Sequence, residues 1–273
     1  MTEAEITNSL TTLNSKVLGV GEPPLIMLHG WGQSLISLYG LADLLSKSRQ
    51  VHLIDLPGFG GSPKPPSDWN NSEYAERIFT YMEENGIRQA DVLGHSFGGR
   101  ISIRLASLHP QAIRKVILIN SSGLKGKATT NRTFRMQLAQ LSAKTCRTLD
   151  RNFGLNTFET WHVPRFASID YKNSGELRNI FVKTVNEDLS ECVPKVTQPV
   201  LLLWGERDTE TPVSVGERFA ELLPNAKFIV LPGKDHFPFL NEGAHLCGSH
   251  IIRFLDQSDG LSKSTKEESL SRV

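Results

Sequence analysis

The stretch Asp91-Val92-Leu93-Gly94-His95-Ser96-Phe97-Gly98-Gly99 sets a short apolar run directly before a Gly-x-Ser-x-Gly pentapeptide. Residues 100–108, which follow it, carry apolar side chains three and four positions apart, as amphipathic helices do. The pentapeptide alone would arise by chance fairly often in a chain rich in glycine and serine. Between a predicted strand and a predicted helix, it indicates a tight, strained turn that exposes the Ser96 hydroxyl at the strand end.

Short apolar runs of the same character recur along the chain and predict further strands. They lack alternation of apolar and polar residues, which is typical of parallel strands buried on both faces. The runs cover residues 25–28, 51–54, 116–119, 200–204 and 228–231, and residues 16–20 also resemble a strand. Helical patterns occupy the intervals, at residues 37–45, 74–82, 215–223 and 245–255. This order predicts the α/β class, with a mostly parallel sheet flanked by helices.

Residues 121–196 interrupt the alternation with basic and amide-rich helical stretches and with no strong strand pattern. We interpret them as a helical cap inserted into a core made of residues 1–120 and 197–256. An insertion at this point would cover Ser96. Most of its large apolar residues, which include Phe153, Trp161 and Phe181, are expected to pack the cap onto the core, and some of them to line an apolar roof over Ser96. Residues 257–273 are rich in Ser, Lys and Glu and are predicted to be disordered.

Composition and charge exclude several classes of protein. The chain has 273 residues, enough for one large packed core, and 30 basic against 29 acidic side chains give a formal net charge of +1. We therefore expect no nucleic-acid partner. Since no apolar run is long enough to span a bilayer and the first residues are polar and acidic, we expect neither membrane insertion nor a secretory signal. Three widely spaced cysteines favour reduced thiols and a cytoplasmic location, and the oligomeric state stays open.

A serine hydroxyl needs a base to act as a nucleophile at neutral pH. The run Trp204-Gly205-Glu206-Arg207-Asp208 places acidic residues just after one predicted strand, and Gly233-Lys234-Asp235-His236 places a histidine just after the next. Because the carboxyl ends of parallel strands lie at one edge of a sheet, we expect Ser96, Asp208 and His236 to meet there. Glu206 and Asp235, on the same two loops, are the weaker candidates for the acid.

Hydrolysis by a serine also requires N–H donors for the oxyanion of the tetrahedral intermediate. One donor is expected to be the backbone of Phe97, and the other that of Trp31 in the glycine-containing loop at residues 29–32. The sequence has no His-Glu-x-x-His or paired-cysteine pattern, and residues 58–63 have proline where a dinucleotide loop needs glycine. We therefore expect no metal and no cofactor.

Taken in order, these motifs resemble those of the α/β-hydrolase superfamily. The motifs are His29-Gly30-Trp31-Gly32, Asp55-Leu56-Pro57-Gly58-Phe59-Gly60-Gly61-Ser62, residues 94–99, residues 204–208 and Asp235-His236. The resemblance covers residues 24–120 and 197–255, and it is greatest to small bacterial carboxylesterase-type members with a helical cap. It implies that Ser96 is the nucleophile, Asp208 the acid and His236 the base, with Trp31 and Phe97 as oxyanion donors.

The expected function is hydrolysis of a carboxylic ester or thioester through an acyl-enzyme intermediate, acting on a small molecule with an apolar acyl or aromatic group. Two alternatives remain: a carbon–carbon bond hydrolase that uses the same triad, and a ligand-binding protein that keeps the fold without turnover. Dehalogenases and epoxide hydrolases of this superfamily have aspartate at the position of Ser96, so the resemblance disfavours both.

Overall fold

The computed structural model describes residues 12–125, 130–166 and 168–257. The prediction of a disordered tail at residues 257–273 falls, apart from Gln257, outside the described residues. Within the described ranges, no helix has both the length and the apolar character needed to cross a membrane.

A seven-stranded sheet forms the centre of the molecule, in the order β1-β3-β2-β4-β5-β6-β7. Strand β1 is antiparallel to β3, and the other neighbouring pairs are parallel. This arrangement confirms the predicted fold class. The strands are β1 (Ser15–Leu18), β2 (Leu25–Leu28), β3 (Val51–Ile54), β4 (Ala90–His95), β5 (Ile113–Ile119), β6 (Val200–Gly205) and β7 (Ala226–Leu231).

Successive side chains of the central strands enter two separate hydrophobic cores, one on each face of the sheet. In β6, Leu202 and Trp204 belong to one core, whereas Leu201 and Leu203 belong to the other. Both sets are apolar because helices cover both faces, which explains why the strands lack alternation in the sequence.

Five helices cover the sheet: α1 (Tyr39–Leu45), α2 (Asn71–Glu84), α3 (Phe97–Leu108), α8 (Val213–Leu222) and α9 (Gly243–Leu255). Helices α2, α3 and α8 contribute to the first core and α1 and α9 to the second. Helix α2 begins before the predicted residue 74 because Asn70 caps it. The Asn70 side chain accepts from the backbone N–H of Ser72 and Glu73, and the Glu73 carboxylate accepts from the N–H of Asn70.

The described part of the chain between β5 and β6 is helical and contains no strand. Its α-helices are α4 (Thr130–Phe153), α5 (Val163–Phe166), α6 (Ile169–Asn173) and α7 (Arg178–Asn186), and shorter helical turns cover Phe158–His162, Gly175–Leu177 and Val193–Lys195.

Strand β7 differs from the expectation of full burial. Phe228 and Ile229 are only partly buried, and Val230 is exposed. The reason is its place at the edge of the sheet, where β6 is its only strand neighbour among the residues that the structure describes.

Candidate active site

Ser96 occupies the turn between β4 and α3, with φ 50° and ψ −109°. A positive φ is costly for serine, so the surrounding structure must hold it. The adjacent glycines make the turn possible: a Cβ on Gly94 would lie 2.3 Å from the Gly98 carbonyl oxygen, and one on Gly98 would lie 2.2 Å from that of Leu28. The elbow therefore requires glycine at both flanking positions.

The structure brings Asp208 and His236 together at the same edge of the sheet. His236 Nδ1 lies 2.8 Å from Asp208 Oδ2, and both residues are buried. Asp208 also accepts from the Thr211 hydroxyl at 2.7 Å and from the Thr211 backbone N–H at 2.9 Å. Burial acts to raise the pKa of Asp208, but the hydrogen bonds from His236 and Thr211 outweigh it and lower the pKa. Asp208 is thus an ionised partner for the His236 ring.

Asn120, at the end of β5, joins these elements with its side chain. Its Oδ1 accepts from the backbone N–H of Gly205 at 2.9 Å, and its Nδ2 donates to Asp208 Oδ2 at 2.5 Å and to the Asp235 carbonyl at 3.0 Å. Its φ is 44°, a conformation that asparagine tolerates better than most residues. Asn120 is not among the residues that the sequence predicts for the site, although asparagine at the end of a buried strand is the signal that could have found it.

The loop that carries His236 is fixed a second time by His95. The His95 Nε2–H donates to the His236 carbonyl at 2.9 Å, since a carbonyl can only accept. Burial lowers the pKa of His95 to about 3, so its ring is neutral at physiological pH. His95 thereby holds the backbone of His236 without adding a positive charge beside it.

The loop that carries Trp31 lies close to Ser96 and Phe97. An added Cβ on Gly30 would lie 3.4 Å from Ser96 Cβ, so the loop after β2 closely approaches the elbow. The rings of Trp31 and Phe97 meet edge to face with centroids 5.1 Å apart, and the Phe181 ring of α7 packs 5.0 Å from that of Trp31. This cluster is an apolar wall next to Ser96.

Two further carboxylates, those of Glu210 and Asp170, lie near His236, and no sequence pattern predicted either of them. Glu210 Oε2 lies 3.4 Å from His236 Nε2. Asp170, on α6, lies close enough to interact electrostatically with both His236 and Glu210. Burial raises the pKa of Asp170 and of Glu210, and in each case it outweighs the attraction of the imidazole. Among the described residues, no hydrogen bond joins Ser96 Oγ to His236.

The weaker candidates for the acid have other partners. The Glu206 carboxylate accepts from the backbone N–H of Gly233 at 2.7 Å, and Asp235 Oδ1 accepts from that of Phe237 at 2.9 Å. In the described ranges, no group of three or more His, Cys, Asp or Glu side chains could hold a metal ion.

Comparison with known proteins shows similarity over most of the chain. The family model described as alpha/beta hydrolase fold matches residues 23–243. A pimeloyl-[acyl-carrier protein] methyl ester esterase of Yersinia enterocolitica is 27% identical over 89% of this chain and 97% of its own length. The uncharacterized hydrolase YugF of Bacillus subtilis is also 27% identical, over 86% of this chain and 90% of its own. The structure of an esterase from Exiguobacterium antarcticum superposes with a TM-score of 0.69 at 20% identity, covering 90% of this chain and 96% of that one.

Proposed function

The chain belongs to the alpha/beta hydrolase fold family, and we propose that it is a serine hydrolase that cleaves a carboxylic ester or thioester through an acyl-enzyme. One observation carries the proposal. Ser96 stands at positive φ on a glycine-flanked elbow, at the sheet edge where Asp208 holds His236 Nδ1 at 2.8 Å. That arrangement matches a nucleophile, a base and the acid that orients the base.

In the proposed reaction, Ser96 Oγ bonds to the ester carbonyl carbon while its proton passes to His236 Nε2. The carbonyl electron pair moves onto the oxygen, which accepts hydrogen bonds from the backbone N–H groups of Trp31 and Phe97. The intermediate then collapses: the bond to the leaving oxygen or sulfur breaks, and that atom takes the proton from Nε2. Water, deprotonated by His236, releases the acid and restores Ser96.

For this proton transfer, the His236 ring must rotate so that Nε2 approaches Ser96 Oγ instead of Glu210. Hydrogen bonds between a serine and its base are often long in ligand-free enzymes and shorten when substrate binds. The Nδ1 contact with Asp208 holds one side of the ring, and the hydrogen bonds to the carbonyls of Asp235 and His236 hold its backbone, so the proposed movement is a rotation of the side chain.

The helical segment at residues 121–196 is the proposed cap over this site. Phe181, buried against Trp31, provides an apolar surface beside Ser96. Phe153 is 71% exposed and Trp161 is 44% exposed, so neither is enclosed as a roof residue would be. The wall formed by Trp31, Phe97 and Phe181 supports a small-molecule ester with an apolar acyl or aromatic group. The Yersinia relative is named as a pimeloyl-[acyl-carrier protein] methyl ester esterase.

A cytoplasmic location is proposed on the chemistry of the cysteines. Cys146, Cys192 and Cys247 are free and buried. Burial raises the pKa of Cys192, and it raises that of Cys247 to about 12, so these two thiols stay protonated and unreactive at neutral pH. Free thiols are typical of a reducing compartment.

The test is hydrolysis of p-nitrophenyl esters of increasing acyl length, combined with labelling by a fluorophosphonate probe. We expect turnover and labelling in the unsubstituted chain and in the control Ser249→Ala, and loss of both in Ser96→Ala. Labelling that survives in Ser96→Ala would show that the nucleophile lies elsewhere. Absence of both turnover and labelling in the unsubstituted chain would refute the proposed function.

A further inference from the structure

Arg100 is a buried cation one turn after Ser96 on α3, and the proposed reaction does not use it. It is only 5% exposed, and its guanidinium donates to three different groups. Nε donates to the Ser122 hydroxyl at 3.0 Å, Nη1 to the Glu187 carbonyl at 2.8 Å and Nη2 to the Val185 carbonyl at 3.0 Å. Burying a charge is costly unless it is well paired, and Arg100 meets that requirement mainly with neutral acceptors.

One branch of this network leads to the nucleophile. The Ser122 hydroxyl donates its proton to the Ser96 carbonyl at 3.3 Å, and the Ser122 backbone N–H donates to the same carbonyl at 3.2 Å. Because Arg100 donates to the Ser122 hydroxyl, it orients and polarises that group toward Ser96. Ser96 has a strained backbone that its neighbours must hold, and Ser122 supplies two of the hydrogen bonds that do so.

The other branch leads to α7. Val185 belongs to its last turn and Glu187 follows its end. The guanidinium therefore donates hydrogen bonds to carbonyls that have no partner within the helix, at the negative end of the helix dipole. The same helix carries Phe181, whose ring packs against Trp31, the proposed oxyanion donor. Arg100 therefore connects the proposed nucleophile, Ser96, with helix α7, whose Phe181 packs against Trp31.

We propose that Arg100 is a positioning residue that fixes the Ser96 elbow and helix α7 in one relative geometry, so that nucleophile and oxyanion donors stay aligned. This inference rests on the proposed function of Ser96. Its physical basis is the fork of the guanidinium, which reaches three acceptors at once, whereas a lysine ammonium on a flexible stem does not reproduce that fork.

Arg104 provides a matched control because it lies one turn further along α3. It also contacts residue 187, but through the Glu187 carboxylate rather than the backbone carbonyl. In the described part of the chain, no hydrogen bond joins it to Ser122. A purely structural role for basic residues at this point of the fold predicts similar effects of substituting either arginine.

The first measurement separates kcat from KM with p-nitrophenyl butyrate. We expect Arg100→Lys to lower kcat by about 10- to 100-fold, since small misplacements of reacting groups have effects of this size. KM should change little, and Arg104→Lys should keep the kcat of the unsubstituted chain. Ser122→Ala removes the hydroxyl that accepts from Arg100 and donates to Ser96 but keeps the backbone hydrogen bond to Ser96. It should also lower kcat, whereas Ser122→Thr, which keeps a hydroxyl, should retain it. Unchanged kcat in Arg100→Lys, or an equal loss in Arg104→Lys, would overturn the proposal.

A second measurement needs no turnover. Hydrogen–deuterium exchange should become faster at the Ser122 amide in Arg100→Lys but not in Arg104→Lys, because only Arg100 supports the Ser122–Ser96 contact. If the unsubstituted chain neither hydrolyses esters nor takes the phosphonate label, the proposed function fails, and the exchange rate still decides whether Arg100 holds the elbow. Equal exchange at Ser122 in both variants would refute the positioning role.

Discussion

Thr211→Val tests the network that holds the acid of the proposed triad. The Thr211 hydroxyl donates to Asp208 Oδ2 at 2.7 Å and is buried, and valine replaces it with a methyl group of similar shape. Thr211→Ser is the matched control because it keeps the hydroxyl. The substitution therefore removes one hydrogen bond to a buried carboxylate while leaving the volume of the side chain almost unchanged.

The expected loss of folding free energy is about 2 kcal/mol at neutral pH, within the usual range for a hydrogen bond to a charged group. The loss should depend on pH, because the Thr211 hydrogen bonds help to keep the pKa of Asp208 low against the effect of burial. A carboxyl whose folded-state pKa is lowered stabilises the protein above its unfolded pKa of about 3.9, and this contribution disappears as the pH falls through the folded-state value. Once Asp208 is protonated in the folded state, the difference should shrink to about 1 kcal/mol, typical of a neutral hydrogen bond.

Urea unfolding at neutral pH and at a pH below the lowered folded-state pKa of Asp208 measures both values. We also expect kcat/KM of Thr211→Val for p-nitrophenyl butyrate to fall by about 10-fold, equivalent to roughly 1.4 kcal/mol of transition-state stabilisation. The reasoning is refuted if the valine and serine variants are equally stable at neutral pH. It is also refuted if the deficit of the valine variant is the same at both pH values, because the hydroxyl would then not be bonded to an ionised Asp208.

Three further predictions concern the backbone at Gly205, the charge of Glu210 and the effect of chelators. A Cβ on Gly205 would lie 2.1 Å from the Asp235 carbonyl oxygen, so Gly205→Ala should displace the His236 loop and lower kcat/KM by about 10- to 100-fold. Gly40→Ala, whose Cβ meets nothing within 4 Å, should leave kcat/KM unchanged, and equal effects would contradict the steric explanation. Glu210 lies 3.4 Å from His236 Nε2, so its carboxylate is expected to repel an anionic substrate. Glu210→Gln should therefore raise the rate for p-nitrophenyl hemisuccinate relative to the butyrate ester by about 10-fold. An unchanged ratio would show that this charge does not act on the substrate. Chelators should leave ester hydrolysis unchanged, and loss of activity that zinc restores would contradict the prediction of a metal-free site.

Local patterning predicted most of the fold because burial acts residue by residue along each strand. The apolar runs at residues 25–28 and 51–54 have the bounds of β2 and β3, since both strands are buried throughout. The prediction was less accurate for residues 228–231, because the position of β7 at the sheet edge is a property of the topology rather than of its own sequence.

The same distinction between local sequence pattern and tertiary topology applies to the residues of the candidate site. Ser96, Asp208 and His236 could be proposed because each follows a recognisable strand, and the structure places Asp208 against His236. Glu210 and Asp170 could not, since an exposed glutamate and an acid in a helical segment have no local pattern that indicates a neighbouring imidazole. Their proximity arises only when the segments after β5 and β6 are folded together.

The separation of β7 from β4 in the sheet explains why the loop that carries His236 is held by several hydrogen bonds. Strand β7 lies three positions from β4 in the sheet, about 14 Å at the usual spacing of neighbouring strands, so a histidine at its end must reach back across β6 and β5 to approach Ser96. Gly205 has no side chain to block this path, and a Cβ there would collide with the crossing backbone. Asn120 then holds the Asp235 carbonyl from the end of β5, and His95 holds the His236 carbonyl from the end of β4. Strands β6, β5 and β4 thus each contribute one feature that permits or fixes this path, and we expect Gly205, Asn120 and His95 to be needed for any reaction that joins His236 to Ser96.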